Sequence, residues 1–469
     1  MFLRESFRLS FDPSFVRRLL ATAIPVSLQT LMFSSRSLAD IMMTSHLGVS
    51  EVAAIGFSGR IAFIMHLAIF GIASGGGVIV SQYWGAKNRD GARRGTAISL
   101  LMGLPFALLF FGLCLWIPEQ MVALASDDPA VVAFGAEYLR IMGLVAFPVS
   151  AGAVFSVALR SIGLAKISMR MSIIGVGSNI LLNYALIFGA FGLPRLGTAG
   201  AAYATLISSL LETACIFAYV YLKKSPLAFR WGDFGEGIRS GLAHKVAKVG
   251  LPLAVNGVVW SMGVLVYNVL VGQMGTQQLA VFAMITPIES FITAMYFGIA
   301  TAASVMTGHR LGAFEFAEAW SEGKAFVVWS AICAVFCSVI IWCCKGFLLK
   351  LYPAIDAATL QEANLVLTAV AFVNGFRSIN VTVIVGILRS GGDTRFCLGL
   401  DLFCQWAIGI VLTYLSIFVW SMPLWVVFLA MNSEEFAKVF LCVWRFGSKK
   451  WIRNLVGSDD AKPSPVIAG

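Results

Sequence analysis

The sequence has few charged residues. Asp, Glu, Lys and Arg together make up 12% of its 469 residues, whereas hydrophobic residues make up 59%. Soluble proteins carry roughly 25% charged residues, so a soluble domain with this composition could not cover its apolar surface. The composition therefore excludes an ordinary water-soluble enzyme and predicts a protein that is mostly surrounded by lipid.

Histidine is also scarce, with four residues, and the nine cysteines include no CxxC pair. This pattern offers no metal-ligand spacing, so we expect neither a metal site nor a cofactor. The glycines near Gly71 belong to no GxxxxGK[ST] or GxGxxG motif, which argues against a phosphate-binding loop. His66 is the one histidine clearly within an apolar run, and it has no obvious catalytic partner. We therefore expect no enzymatic activity within the membrane.

The net charge of +10 is distributed as in a membrane protein rather than a nucleic-acid-binding protein. We predict no cleavable leader. We also predict twelve spans, at about 18–45, 52–82, 94–118, 130–160, 166–191, 198–222, 245–271, 278–309, 322–345, 359–387, 394–418 and 420–444. The N-terminus, the even-numbered loops and the tail hold 26 of the 34 Lys and Arg residues, and the odd-numbered loops hold three. This asymmetry predicts a multi-pass protein of the cytoplasmic (inner) membrane with both termini in the cytoplasm.

One series of motifs occurs twice. Pro25, Gly48, Phe70-Gly71-Ile72-Ala73 and Gly85-Ala86 recur 227 residues later, and Leu159-Arg160-Ser161-x-Gly163 recurs 229 residues later. The fold class is therefore predicted to be an all-α polytopic membrane protein with twelve helices in two six-helix bundles. A pseudo-two-fold axis along the membrane normal would relate the bundles. We predict bundles at 1–222 and 245–446, a cytoplasmic linker at 223–244 and a loose cytoplasmic tail at 447–469.

Asp40 lies in the apolar run of span 1, where a charged group is costly and is usually functional. Span 5 carries Asn179 and Asn183 one helical turn apart, and Thr205 lies near the start of span 6. Low-dielectric surroundings favour a protonated carboxyl, and amides can hydrogen-bond either form, so we predict an ion-coupling site. A static ion pair between Asp40 and Arg36, one turn earlier, is the alternative.

Other polar residues also lie within the spans. Arg60 on span 2 reaches a depth similar to that of Asp40, and Asp40 aligns with Tyr267 in the second half. The second half instead has Glu289, Arg377 and Asn380, which we expect to line the substrate cavity, with pairing of Glu289 and Arg377 with each other or with backbone carbonyls as the alternative. A structural or interfacial role is predicted for a third group, which comprises Glu137, Arg140 and Glu212.

In these motifs the chain resembles the multidrug and toxic compound extrusion (MATE) transporters. The similarity covers about residues 15–445. The residues that carry it are Pro25, Asp40, the span-2 ending Gly85-Ala86-Lys87-Asn88, the two Leu-Arg-Ser-x-Gly motifs and Gly391-Gly392-Asp393-Thr394. The resemblance implies a secondary antiporter that expels amphipathic, often cationic, compounds against an inward flow of protons or sodium.

The resemblance also implies roles for individual residues. Asp40 matches the family's span-1 acid, and Asn179 and Thr205 match members of its hydrogen-bonded network, whereas Asn183 stands where some members have aspartate. Tyr138 loosely matches an aromatic residue of span 4. Trp260 and Ser378 occupy the positions where one branch has the acids of a sodium site. The pattern is therefore similar to the branch related to DNA-damage-inducible transporters, and it favours protons over sodium.

We accordingly expect a monomeric antiporter whose partners are small-molecule substrates and the lipid bilayer. Alternating access between the two sides would export amphipathic drugs or toxic compounds in exchange for protons, with sodium as the less favoured ion. A lipid-linked precursor flippase or exporter of a related branch is the alternative, although such chains often have fourteen spans. A channel, which would need no counter-ion, is a third option.

Overall fold

The structure, a computed structural model, describes residues 9–124, 126–350 and 357–457. This part of the chain consists of helices and connecting turns and has no strand. The helices, numbered in chain order, are α1 (Pro13–Thr44), α2 (Val49–Gly85), α3 (Arg89–Trp116), α4 (Pro118–Ala123), α5 (Pro129–Ser161), α6 (Ala165–Phe188), α7 (Gly197–Leu222), α8 (Trp231–Arg239), α9 (Leu242–Gly272), α10 (Thr276–Gly312), α11 (Phe316–Lys350), α12 (Ala357–Val381), α13 (Thr394–Leu402), α14 (Ile410–Tyr414), α15 (Leu424–Met431) and α16 (Ser433–Gly447). Wider π-helical turns extend α12 and flank α14, at Thr382–Leu388, Phe403–Gly409 and Leu415–Val419.

Within the described residues, ten helical segments are long and apolar enough to cross a membrane. They comprise α2, α3, α5, α6, α7, α9, α10, most of α11, α12 with its π-helical extension, and the segment Thr394–Val419. The remaining two of the twelve predicted spans correspond to α1 and to the pair α15 and α16. Helix α1 has 32 residues, but Arg36 and Asp40 lower the hydropathy of its second half.

The contacts divide the chain into two compact units. One unit comprises Leu28–Val258, and the other comprises the described residues up to Ser27 together with those from Val259 onward. The boundaries fall inside α1 and α9, close to Pro25 and Pro252, rather than in the linker. Each unit has its own apolar clusters, one built around Phe326 and Phe428 and one around Tyr138 and Leu139.

The repeated motifs form the same turn in both copies. Gly163 and Gly392 have φ angles of +84° and +77°, in the left-handed region where glycine has no steric penalty. In each copy the glycine N–H donates to the carbonyl of the motif's arginine, and the bond is 2.9 Å long. These bonds satisfy carbonyls at the end of a helix, so the motif forms the same helix-ending turn in each half.

The predicted linker contains helix α8, which packs against α3. Asp233 accepts hydrogen bonds from the Arg230 N–H at 2.6 Å and from Arg93 Nε at 3.0 Å to each carboxylate oxygen. A Cβ atom added to Gly237 would lie 2.6 Å from Ile98 Cγ1, so the two helices are in close contact. The linker is therefore an ordered part of the first unit.

The beginning of the tail is packed, and the prediction of a loose tail is wrong for residues 448–457. Trp451 is fully buried, lies nearly parallel to Phe446, and donates from Nε1 to the Phe446 carbonyl at 3.1 Å. Asn454 Nδ2 donates to the carbonyls of Leu311 and Gly312 at 2.8 and 3.1 Å. The charged residues of this segment suggested a loose tail, and the packing of its aromatic and amide side chains against α16 and α10 could not be read from the composition. Residues 458–469 of the predicted tail lie outside the described residues.

Candidate functional site

The structure brings Asp40 and the span-5 amides together. Asn183 donates from Nδ2 to Asp40 Oδ1, and the same nitrogen lies 3.2 Å from Asn179 Oδ1. Both asparagines are fully buried, whereas about a third of the Asp40 side chain is exposed. A carboxyl group that is held by a buried amide and remains partly exposed has the chemistry to exchange a small cation such as a proton.

The network continues from Asn179 to α7. Asn179 Nδ2 lies 3.4 Å from Thr205 Oγ1 and 3.3 Å from Ser208 Oγ. Thr205, a sequence prediction, is therefore part of the cluster, whereas Ser208 was not singled out. The result is a continuous set of amide and hydroxyl groups that starts at one carboxyl group.

A tight hairpin between α6 and α7 aligns these residues. Helix α6 ends at Phe188, and the next residue, Gly189, has a φ of +75° that allows the chain to turn. A Cβ atom on Gly200 would lie 2.6 Å from the Leu186 carbonyl oxygen, so the helices approach at a residue without a side chain. With this close approach at one end, the polar face of α6 lies against that of α7.

Three further residues predicted near this cluster differ in where the structure places them. Arg36 Nε lies 4.0 Å from Asp40 Oδ2, which is beyond hydrogen-bond distance and makes a loose ion pair. Tyr138 is buried within the apolar cluster of the first unit. Arg60 is exposed on α2 and does not join the cluster.

In the second unit, the predicted Glu289 and Arg377 pair with each other. Arg377 NH1 lies 2.9 Å from Glu289 Oε1, and Arg377 NH2 donates to Asn432 Oδ1 at 2.5 Å. Asn380 Nδ2 donates to Glu435 Oε2 at 2.7 Å and is buried. Both guanidinium contacts are thus satisfied by this unit's own residues.

Trp260 and Ser378, which the sequence analysis singled out in the second half, both make contacts that involve backbone carbonyls. The Trp260 carbonyl accepts from Gln405 Nε2 at 3.2 Å, and Ser378 Oγ donates to the Ser330 carbonyl at 2.9 Å. Within the described ranges, no group of three or more His, Cys, Asp or Glu side chains could hold a metal ion.

Sequence reasoning missed two polar clusters. In the first unit, Gln29, Ser172 and Glu212 form a second chain of hydrogen bonds. In the second unit, Lys438 Nζ lies 3.3 Å from Asp401 Oδ1 and 3.6 Å from Glu434 Oε2. A helical-wheel plot could have found the first cluster, because its α6 residues share a face with Asn179.

The fold and the site define a multi-pass helical membrane protein with an acid inside its first helix. The family model MatE matches residues 25–185 and 252–415, which are most of both repeated halves. The chain belongs to this family, and the resemblance to MATE transporters is confirmed.

Similar proteins in bacteria support the assignment. The uncharacterized transporter YisQ of Bacillus subtilis (strain 168) is 24% identical over 435 residues, which cover 92% of this chain and 93% of the relative. The probable multidrug resistance protein NorM of Haemophilus ducreyi is 29% identical over 417 residues and 86% of each chain.

Solved structures share the fold at low sequence identity. An outward-facing multidrug resistance MATE family transporter of the MOP superfamily matches with a TM-score of 0.83 at 19% identity, over 94% of this chain and 98% of that one. A MOP superfamily transporter from Pyrococcus furiosus, described as having a binding pocket of reverse polarity, matches with a TM-score of 0.81 at 21% identity and the same coverage. The predicted fold class, an all-α polytopic membrane protein of twelve helices, is confirmed.

Proposed function

We propose that the protein is a secondary antiporter that exports amphipathic small molecules in exchange for protons, by alternating access. The observation that carries the proposal is the position of Asp40. It is an intramembrane carboxyl group held by the buried Asn183, in a chain of a family of membrane transporters. Intramembrane acids usually mark ion pathways, because their burial is costly.

The amide network suits a group that gains and loses a proton. Asn183 Oδ1 is buried and has no hydrogen-bond partner among the described residues, whereas Nδ2 donates to Asp40. The ionised carboxylate uses the donor, and rotation of the amide would offer its oxygen to the protonated acid. Both charge states of Asp40 can therefore be hydrogen-bonded at the same site.

Sodium is the less favoured coupling ion. A bound sodium ion would need several oxygen ligands, and the cluster offers them from Asp40, Asn183 and Thr205. The guanidinium group of Arg36 lies 4.0 Å from Asp40 and repels a second cation. One carboxylate beside one arginine gives no net negative charge, which is poor for binding a metal cation. The same arginine also favours the ionised form of Asp40, so the proton must be loaded from the more acidic side.

The substrate class follows from the relatives. Several relatives are described as multidrug resistance proteins, so amphipathic drugs are the proposed substrates. Pairing of Arg377 with Glu289 and of Arg36 with Asp40 leaves little net charge on these residues. Neutral and zwitterionic compounds therefore belong in any substrate panel beside cations.

We propose a monomer in the cytoplasmic membrane with both termini in the cytoplasm. The excess of Lys and Arg in alternate loops supports this orientation. The protein would move its substrate without chemical change, and would act neither as an enzyme nor on nucleic acid.

The test is transport in inverted membrane vesicles under an imposed pH gradient. Ethidium serves as a cationic probe, and a drug-susceptibility panel in a pump-deficient host adds neutral and zwitterionic compounds. Asp40→Asn should abolish gradient-driven transport and drug resistance while the protein remains in the membrane. Asp90→Asn is the matched control, because Asp90 is exposed at the start of α3 and pairs with Arg93 only locally.

Undiminished transport by Asp40→Asn would overturn the coupling role. If a sodium gradient drives transport and a pH gradient does not, the coupling ion is sodium. The flippase alternative would be favoured if the wild-type protein protects the host against no compound in the panel and if a strain that lacks the protein loses export of a lipid-linked precursor.

A further inference from the structure

Three helices of the first unit share a buried polar seam. We define the seam as the polar residues on the facing sides of α1, α6 and α7, with Arg160 of α5 at one end: Gln29, Arg36, Asp40, Arg160, Ser168, Ser172, Asn179, Asn183, Thr205, Ser208 and Glu212. On α6 and α7 the spacings are three, four or seven residues, so each set lies on one helical face.

The seam has two halves, and Glu212 is the last acceptor of the half that also contains Gln29, Arg160, Ser168 and Ser172. Gln29 Nε2 donates to Ser172 Oγ at 2.7 Å, and Ser172 Oγ donates to Glu212 Oε1 at 2.7 Å. Arg160 NH1 and Ser168 Oγ each lie 3.4 Å from Gln29 Oε1. All donors therefore point along one direction and end on the Glu212 carboxyl group.

The contacts between α1 and α6 show how far apart Asp40 and Glu212 lie along the seam. Gln29 contacts Ser172, and eleven residues later on each helix Asp40 contacts Asn183. Equal spacing on both helices means that they run parallel, and eleven residues of helix span about 16 Å. Glu212 and Asp40 are thus at opposite ends of one seam.

The gap between the two halves of the seam is short. Ser208 contacts Asn179 and lies one helical turn from Glu212 on α7, a rise of about 6 Å that a single water molecule can bridge. The buried Asn183 Oδ1, which has no hydrogen-bond partner in the part of the chain that the structure describes, is a second position that suits a water molecule.

The backbone makes room for this carboxyl group. A Cβ atom on Gly175 would contact Glu212 Oε2 and would lie 2.8 Å from Glu212 Cδ. Helix α6 therefore lacks a side chain where Glu212 crosses it. Among the described residues, the charged groups at the seam are Arg36 on α1, Arg160 on α5 and Asp40 itself, and α6 contributes neutral groups to it. Two further titratable groups lie close enough to interact with Arg36, namely His66 on α2 and Tyr138 on α5, and Tyr138 also interacts with Asp40.

We propose that Glu212 is a second proton-binding carboxyl group, which exchanges a proton with Asp40 along the seam. Asp40 would release its proton and become a carboxylate, water molecules in the seam would pass the proton on, and the Glu212 carboxylate would accept it. Glu212 would then release the proton to water on the side where α6 begins. This inference rests on the proposed antiport, and it replaces the structural role predicted for Glu212.

Infrared difference spectroscopy of the purified full-length protein tests the inference without any substrate. Spectra are recorded in detergent between alkaline and acidic buffer, where each carboxyl group that takes up a proton gives a carbonyl band. Asp40→Asn should remove one band from the wild-type spectrum, and Glu212→Gln should remove another. Glutamine keeps an oxygen that can accept from Ser172, so the fold is retained. Glu137→Gln, at an exposed position on α5, is the matched control, and it should change only the broad absorption of water-exposed carboxyl groups while leaving intact the separate bands removed by Asp40→Asn and Glu212→Gln.

Transport measurements then separate coupling from binding. In vesicles, Glu212→Gln should lose ethidium transport driven by a pH gradient and keep exchange of labelled for unlabelled ethidium, which needs no net proton movement. Gly175→Ala, which displaces the carboxyl group without removing it, should also lose the driven transport. Gly177→Ala should not, because no atom lies within 4 Å of its added Cβ.

The outcomes distinguish this inference from the proposed function. A Glu212→Gln spectrum identical to that of the wild type, or undiminished driven transport, overturns the role of Glu212 alone. Loss of both driven transport and exchange by Glu212→Gln in a folded protein also overturns it, and indicates a structural or substrate contact. If Asp40→Asn removes no band from the wild-type spectrum while Glu212→Gln does remove one, the coupling role of Asp40 is overturned instead.

Discussion

Asn183 donates from its side-chain nitrogen to Asp40 while its own oxygen is buried and has no partner among the described residues. This relationship joins α1 to α6 through a single amide group. An amide with one used donor and one unused acceptor can serve either charge state of a neighbouring carboxyl group. Asn183 is therefore expected to matter both for coupling and for stability.

Replacement of Asn183 by leucine tests this expectation. Leu has a similar volume but no polar atoms, so Asp40 loses its donor and Asn179 Oδ1 loses a contact. We expect a loss of pH-gradient-driven ethidium transport and a destabilisation of about 1–3 kcal/mol, measured by thermal unfolding in detergent. Asn268→Leu is the control, since Asn268 donates only to the Val264 carbonyl of its own helix. Normal driven transport by Asn183→Leu would contradict the prediction.

The pair formed by Arg377 and Glu289 is expected to stabilise the second unit. About a quarter of each side chain is exposed, so the pair lies between surface and buried ion pairs. Arg377→Gln should lower the free energy of unfolding by about 1–3 kcal/mol, because Glu289 keeps an uncompensated charge. The double variant with Glu289→Gln should recover part of that loss. A changed drug range without any thermal shift would instead assign Arg377 to the substrate cavity.

The sequence predicted the helices well and the polar networks only in part. Asp40 stands out because an acid within an apolar run is rare, and Asn179 with Asn183 stands out by its spacing. Ser172 and Ser208 gave no comparable signal, because serine is common in membrane helices. Whether Glu212 faces lipid or a neighbouring helix depends on how α6 and α7 are rotated, and that rotation follows from close approaches such as the one at Gly200.

Packing of the tail predicts the effect of a single methyl group at Gly391. An added Cβ would collide with the Trp451 carbonyl oxygen and lie 2.7 Å from its carbonyl carbon. Gly391→Ala should therefore displace the tail, which trypsin cleavage after Arg453 would reveal. Gly399→Ala is the control, because no atom lies within 4 Å of its added Cβ. Equal cleavage rates for the two variants would show that the packed tail does not depend on this contact.

Acid should loosen the contact between α8 and α3. Burial would raise the pKa of Asp233, but the hydrogen bonds from the Arg230 N–H and the Arg93 guanidinium outweigh it and hold the pKa below its ordinary value. An acid with a lowered pKa in the folded state stabilises the fold above its unfolded pKa, and this stabilisation disappears as the pH falls through the folded value.

Proteolysis of the linker over a pH series measures this effect. We expect the wild-type linker to resist cleavage at neutral pH and to become accessible only below about pH 4, near the unfolded pKa of an aspartate. Acid-stable pepsin suits the lower end of the range. Asp233→Asn keeps an acceptor but loses the charge, so its linker should be accessible at every pH, whereas the exposed Asp127→Asn should behave as the wild type. A pH-independent wild-type linker would mean that neutral packing at Gly237, rather than the ion pair, holds α8 in place.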